Sequence, residues 1–435
     1  MMSLANAMRS VRREPGREVV ANVVARVVAL VALGVATILV ARTGGAAGVG
    51  AYALLRVLPG LFGVLAACGL PSATAFYLAG PRRHEPGMMQ AIVVLMLGGG
   101  VVGTLVWLAA TPMLHRVFFS SISIPAVALA GFTVFTQLPV AVGKGVLQGL
   151  EDMRGTNVVI GLEELVFLPA YAVLWAFGAR EVGLIIWALL VADVAVSGYA
   201  WLRIARRSGK FVIRRVRLPL IAEIANFGIR GQVGGIVGLL NLRLDFAVLG
   251  AIAGPATLGV YAVASKYAEL LRLPGLAITW VMYPRIARQG QEQVAKSVRG
   301  LVPRAILWNV LAGVLLAVAA GRLLPALYGA EFGSAVALTW ILLGGLVLQG
   351  AAGLATAYLY GTGRPGMNSL ALGFGLALTV LLDFLLIPAH GAMGAAVAST
   401  VAYLTADLFL IAMLLRSSKP ARSQAGAVVL ASGDA

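Results

Sequence analysis

Charge is scarce in this chain, and acid is scarcer than base. Only 12% of the 435 residues are charged, with 17 acids against 34 Lys and Arg. A soluble domain carries about 25% charged residues. With 60% of the residues hydrophobic, no water-soluble fold could hide the apolar surface. Cysteine occurs once, at Cys68, which excludes an internal disulfide framework and a Cys-ligated zinc site. The three histidines, His84, His115 and His390, all fall near loops and read as solvated side chains. GxxxxGK(S/T), HExxH and GxSxG strings are absent. Neither ATP hydrolysis nor another enzyme activity is expected, and no resident cofactor. The N-terminus lacks the short apolar core and cleavage site of a removable signal peptide.

Long apolar runs are what the chain does have. Its mean hydropathy is +0.93. A spanning helix needs roughly 20 apolar residues, and twelve segments qualify: 19–41, 49–78, 89–110, 124–142, 158–177, 182–202, 218–249, 258–283, 305–320, 334–359, 367–387 and 392–415. The expected class is an all-α polytopic membrane protein. Asn226, Gly228, Arg230 and Gly231 interrupt the seventh segment, which should begin as an interfacial helix or bend within the membrane. Residues 417–435 are rich in Ser, Ala and Gly and read as a disordered cytoplasmic tail. The net charge of +17 sits mostly in short loops. It reads as topology signal and attraction to anionic lipid, not as a nucleic-acid surface.

Lys and Arg set the orientation. Twenty-four lie at the termini and in alternate loops, including Arg82, Arg83, Lys144, Arg154 and the basic run from Arg203 to Arg217. The intervening loops hold four: Arg42, Arg116, Arg180 and Arg322. Both termini should therefore be cytoplasmic.

Three string pairs recur at nearly one offset. Gly50-Ala-Tyr52-Ala53 matches Gly259-Val-Tyr261-Ala262, Leu147-Gln-Gly149 matches Leu359-Tyr-Gly361, and Glu181-Val-Gly183 matches Ala392-Met-Gly394. Six helices per half is an even number, so the halves share one orientation: a bundle over 1–208 and another over 209–416. Parallel repeats place a substrate site between two bundles that alternate access.

Charges inside spans are the informative residues, because burying them in lipid is costly. The cations are Arg26, Arg56, Arg230, Arg243, Lys266 and Arg272, all on helices 1, 2, 7 and 8. These repeat-related helices should line the gap. Arg suits phosphate through its planar fork. Lys266, Glu269 and Arg272 are spaced along one side of helix 8. Arg26 and Arg230 have a plainer reading as snorkelling side chains, and Arg243 as the partner of Asp245. Glu163, Glu164, Asp193, Asp245, Glu269, Asp383 and Asp407 are the intramembrane acids. Glu163, Asp193, Asp245 and Glu269 are candidates for proton or sodium coupling, although an inter-helix pair is the commoner role. Adjacent Glu163 and Glu164 point about 100° apart and cannot face one site. Pro59 and Pro274 each sit in a Leu-Pro-Gly-Leu string that permits bending.

The stretch from Asn241-Leu-Arg-Leu-Asp245 through Leu258-Gly-Val-Tyr261-Ala-Val-Ala-Ser-Lys266 to Tyr283-Pro284-Arg-Ile-Ala287 resembles helices 7 and 8 of polysaccharide and O-antigen flippases. Gly361-Thr-Gly-Arg364-Pro365, Ile387-Pro388 and Gly391-Ala-Met-Gly394-Ala-Ala are similar to their helices 11 and 12. These flippases belong to the multidrug/oligosaccharidyl-lipid/polysaccharide exporter superfamily. The resemblance implies a V-shaped pair of six-helix bundles in a bacterial-type cytoplasmic membrane. It implies flipping of a polyprenyl-diphosphate-linked oligosaccharide, with Arg26, Arg56, Lys266 and Arg272 gripping the diphosphate; Arg243 joins them as a candidate from its place among the intramembrane cations. Partners would be that substrate, membrane lipids and glycosyltransferase or polymerase machinery. Rival readings are a lipid II flippase, a multidrug/cation antiporter of the same superfamily, a major-facilitator transporter and a non-transporting scaffold.

Overall fold

A computed structural model of the protein describes residues 15–179, 181–208, 217–288, 291–362 and 364–417. The described residues form helices and no strand. In chain order the α-helices are α1 (Pro15–Ala67), α2 (Leu70–Ala79), α3 (Met88–Phe118), α4 (Ile124–Ala130), α5 (Phe132–Gly149), α6 (Met153–Leu165) and α7 (Phe167–Ala176). They continue as α8 (Glu181–Ser208), α9 (Leu218–Ala268), α10 (Leu273–Arg288), α11 (Gln291–Tyr328), α12 (Ala335–Leu346), α13 (Gln349–Gly361) and α14 (Pro365–Ser417).

Nine helices among the described residues are long and apolar enough to cross a membrane. Three of them carry a glycine with non-helical backbone: Gly45 (φ 62°), Gly254 (φ 79°) and Gly391 (φ 53°). A Cβ disfavours that region, and glycine has none. Each kink falls between two expected spans. The expected count of twelve depends on taking each kinked helix as two crossings.

Helix α11 shows which solvent these helices suit. Trp308, Leu311, Leu315 and Val318 lie near one another on its surface, and Val318 is 75% exposed. In water such a stripe would be a large uncompensated apolar patch. Hydrocarbon solvates it without penalty, so the chain is a multi-pass membrane protein.

Two compact units pack separately. The first runs to Val263 and takes in Pro325–Phe332; the second holds Ala264–Leu324 and the chain from Gly333 onward. The first is cored by Ile92, Leu138, Val142, Val146, Ala200 and Ile204. The second is cored by Ala351, Leu354, Ala355, Leu359, Leu414 and Val298. These units do not part at the expected boundary after residue 208. The early turns of α9 lie against the first unit, where a Cβ on Gly69 would run into the backbone of Gly228. The six-plus-six division remains an expectation of the sequence repeat.

Several expected boundaries move. The second segment, expected unbroken over 49–78, stops at Ala67 and restarts at Leu70. Cys68 and Gly69 both take positive φ, at 45° and 72°, which ends one helix, and Pro71 opens the next. The seventh segment shows no break at Asn226–Gly231; its helix runs to the kink at Gly254. Helix 8, expected as one α-helix over 258–283, tightens into a 3₁₀ turn at Glu269–Arg272. Pro274 lacks the N–H that an α-helix would use there. The fourth segment extends to Gly149, so Lys144 is helical and not in a loop. Most of the expected tail and the arginines before residue 15 lie outside the described residues.

Candidate functional site

In the first unit, α1, α2, α5 and α6 line an open cavity of about 440 Å³. Arg26, Ser72, Lys144, Gln148, Ile160 and Glu163 are among its walls. Two glycines fix the helix that carries Lys144. A Cβ on Gly145 would enter the backbone of Pro71, and one on Gly143 would press on Ala200. The Lys144 ammonium donates to Glu163 Oε2 at 2.6 Å. Arg26 Nε donates to Asn22 Oδ1 at 2.9 Å, one helical turn away, and Asn22 Nδ2 donates to Asn157 Oδ1 at 2.8 Å. The cavity thus holds two cations and one acid among its lining residues. Such a wall favours an anion.

Arg56 is not part of that wall. Its guanidinium grips Glu164 with both forks, Nη1 to Oε2 at 2.6 Å and Nη2 to Oε1 at 2.5 Å. Nη1 also donates to Tyr52 Oη at 2.9 Å. Planar two-point pairing is the strongest geometry a carboxylate offers Arg. Asp193 accepts from Thr136 Oγ1 at 2.8 Å. So Glu163 and Glu164 serve different cations, as their angular separation on one helix requires.

Asp245 is buried and accepts from Tyr261 Oη at 2.6 Å and from the backbone N–H of Phe246 at 2.8 Å. Arg243 lies over the Phe246 ring, 5.3 Å from its centroid. In the second unit, Lys266 Nζ reaches Glu269 Oε2 at 3.1 Å. The Arg272 guanidinium stacks on Tyr403, 4.6 Å from the ring centroid. Among the described residues, then, the expected site residues are dispersed: Arg243 and Asp245 both contact Phe246, and Asp193 accepts from Thr136. Arg26 and Glu163 share the cavity; Arg56 lies paired with Glu164; Lys266, Glu269 and Arg272 belong to the second unit.

Lys144, Gln148, Ser72 and Asn22 were not expected at the site. Lys144 reads as a loop charge if the helix is stopped at 142, where the continuous apolar run fades. The available signal was Lys144 and Gln148 four residues apart, the spacing of neighbours on a helix face.

A separate cluster fixes the turn between α5 and α6. Asp152 caps α6 through Oδ1, which accepts from the Gly155 N–H at 3.0 Å. The same carboxylate takes Arg203 at 2.6 and 2.9 Å and lies 3.3 Å from Arg207. Hydrogen bonding from Arg203 holds the Asp152 carboxyl below the usual carboxylate range, although burial opposes it. A second cavity in this unit, about 360 Å³, is mainly apolar. Tyr171 and Thr43 on its wall share a 2.6 Å hydrogen bond.

Residues 16–289 match the family model described as polysaccharide biosynthesis protein. No curated protein matches the chain. Among solved structures, an inward-facing multidrug resistance transporter of the MATE family has a TM-score of 0.74 at 16% identity, covering 91% of this chain and 98% of that one. The lipid II flippase MurJ, inward closed, has a TM-score of 0.65 at 12% identity, covering 92% and 89%. An outward-facing MATE transporter has 0.63 at 16% identity, covering 94% and 96%. The two MATE structures are described as members of the MOP superfamily. The fold is therefore the one these exporters share, and the chain belongs to the polysaccharide biosynthesis protein family.

Proposed function

We propose that the protein is a flippase that moves a polyprenyl-diphosphate-linked oligosaccharide from the cytoplasmic to the outer leaflet by alternating access. The observation that carries the reading is the cavity walled by Arg26 and Lys144, with Glu163 as its one lining acid. A cationic drug would meet two like charges there; a diphosphate meets two opposite ones. Family membership supplies the link to polysaccharide assembly. In this reading the headgroup enters the cavity while the lipid tail stays in the bilayer, and both termini face the cytoplasm. A proton or sodium gradient would drive the cycle, with no cofactor. Glycosyltransferases or a polymerase would act before and after it.

The test uses proteoliposomes holding the purified protein and a fluorescent polyprenyl-diphosphate oligosaccharide in both leaflets. An impermeant glycosidase reports arrival at the outside, with and without an imposed gradient. Protein-dependent translocation that falls in Arg26→Ala supports the reading. No translocation, under conditions where a cationic dye is exported, moves it to a multidrug antiporter. Translocation of lipid II alone makes it a lipid II flippase.

A further inference from the structure

Two adjacent carboxylates on α6 meet two different cations, and the two pairs are not equivalent. Glu164 uses both oxygens on the Arg56 fork, and its side chain is 13% exposed. Glu163 uses one oxygen on the Lys144 ammonium, and its side chain is 37% exposed. An ammonium is a point charge with three donors and no planar preference, so it accepts one oxygen anion in place of another. A partly exposed single-point pair holds weakly, because water screens it. A bidentate, better-covered pair resists exchange. The Lys144–Glu163 pair also stands in the wall of the 440 Å³ cavity, opposite no other lining acid, with Arg26, Ser72 and Gln148 around it.

Resting on the flippase reading, we propose that Glu163 is a resident stand-in for the substrate: its carboxylate holds Lys144 until a diphosphate oxygen displaces it. The chemistry of the ligand is a diphosphate group. Arg26 offers a forked donor set, Lys144 the ammonium that Glu163 gives up, and Ser72 and Gln148 neutral donors. The exchange swaps one carboxylate contact for a phosphate contact and breaks no covalent bond. Binding is thereby tied to release of the Glu163 side chain from α5. Glu164 takes no part, because Arg56 stays engaged.

The experiment measures binding of inorganic pyrophosphate to the purified full-length protein in detergent by calorimetry. Removing the competitor should tighten binding, so Glu163→Gln is expected to lower the Kd about tenfold. Lys144→Gln should weaken binding, and the double variant should match Lys144→Gln, because the competition exists only at Lys144. Glu164→Gln removes the same charge one residue away and should give no gain. An unchanged or weaker Kd in Glu163→Gln overturns the proposal. An equal gain in Glu164→Gln also overturns it, since the effect would then be general electrostatics. A short polyprenyl diphosphate run in parallel identifies the source: tighter binding than pyrophosphate marks a lipid headgroup, and equal binding marks a free phosphate. Translocation of the lipid-linked sugar with a Kd indifferent to Glu163→Gln sinks the stand-in and leaves the flippase standing. The predicted Kd pattern without translocation keeps the anion exchange and sinks the lipid-linked substrate.

Discussion

Gly50 lies against the backbone of Pro255, and its repeat counterpart Gly259, 209 residues on, lies against the backbone of Ala46. Pro255 is itself 209 residues after Ala46. The contact is reciprocal, as in a two-fold interface where one patch meets its own copy. The kinks at Gly45 and Gly254 share the same offset and the same type of backbone conformation. The internal repeat is thus a structural pairing as well as a recurrence of strings.

A side chain at either glycine would have to push backbone aside. Gly50→Ala and Gly259→Ala should each lose about 1–3 kcal/mol, read as a lowered Tm in detergent. Gly98, in the helical interior of α3, has nothing within 4 Å of where a Cβ would sit. Gly98→Ala should be neutral or gain about 0.5–1 kcal/mol, from reduced unfolded-state entropy. Equal effects at all three positions would contradict the reciprocal contact.

Arg56 and Glu164 should behave as one unit. Arg56→Gln leaves a carboxylate without its two-point partner inside a span, and Glu164→Gln leaves a guanidinium. Each single variant is expected to lower Tm more than the double variant, since removing one partner is worse than removing both. A cycle that is additive within about 0.5 kcal/mol would show that the pair contributes no coupling.

Asp152 makes stability fall in acid. Its folded pKa is depressed by Arg203. The contribution is therefore complete above the unfolded value of about 4 and is lost as pH falls through the folded one. Asp152→Asn should lower Tm at pH 7, with a loss on the order of 1–2 kcal/mol from the cap and the pair together. The gap to the unaltered protein should close as the buffer is taken below pH 4. A gap that stays constant with pH would assign the effect to packing alone.

Gly155 tests the same turn by sterics. A Cβ there would press on Arg203 Nε and on the Asp152 carboxylate. Gly155→Ala should displace the Arg203 fork and reproduce most of the Asp152→Asn loss at pH 7, with a weaker dependence on acid. Thermal melts of both variants side by side decide it.

The sequence by itself determined the solvent, the helical class, the family likeness and the repeat. Those follow from composition and from distances along the chain. It also determined that Glu163 and Glu164 must diverge, because each helical residue turns the next by about 100°. It misplaced Lys144, since its helix outlasts the apolar run that marks it. It read helix 8 as a regular α-helix across Pro274, where the chain has a 3₁₀ turn at Glu269–Arg272. Only the tertiary structure decided the partners. Arg56 meets Glu164 across 108 residues, and Lys144 meets Glu163 across 19. The helical period fixes which residues share a face, but the rotation and depth at which two faces meet are set by packing. Glycines such as Gly50, Gly145 and Gly259 set that depth, because backbone can approach only where no Cβ stands.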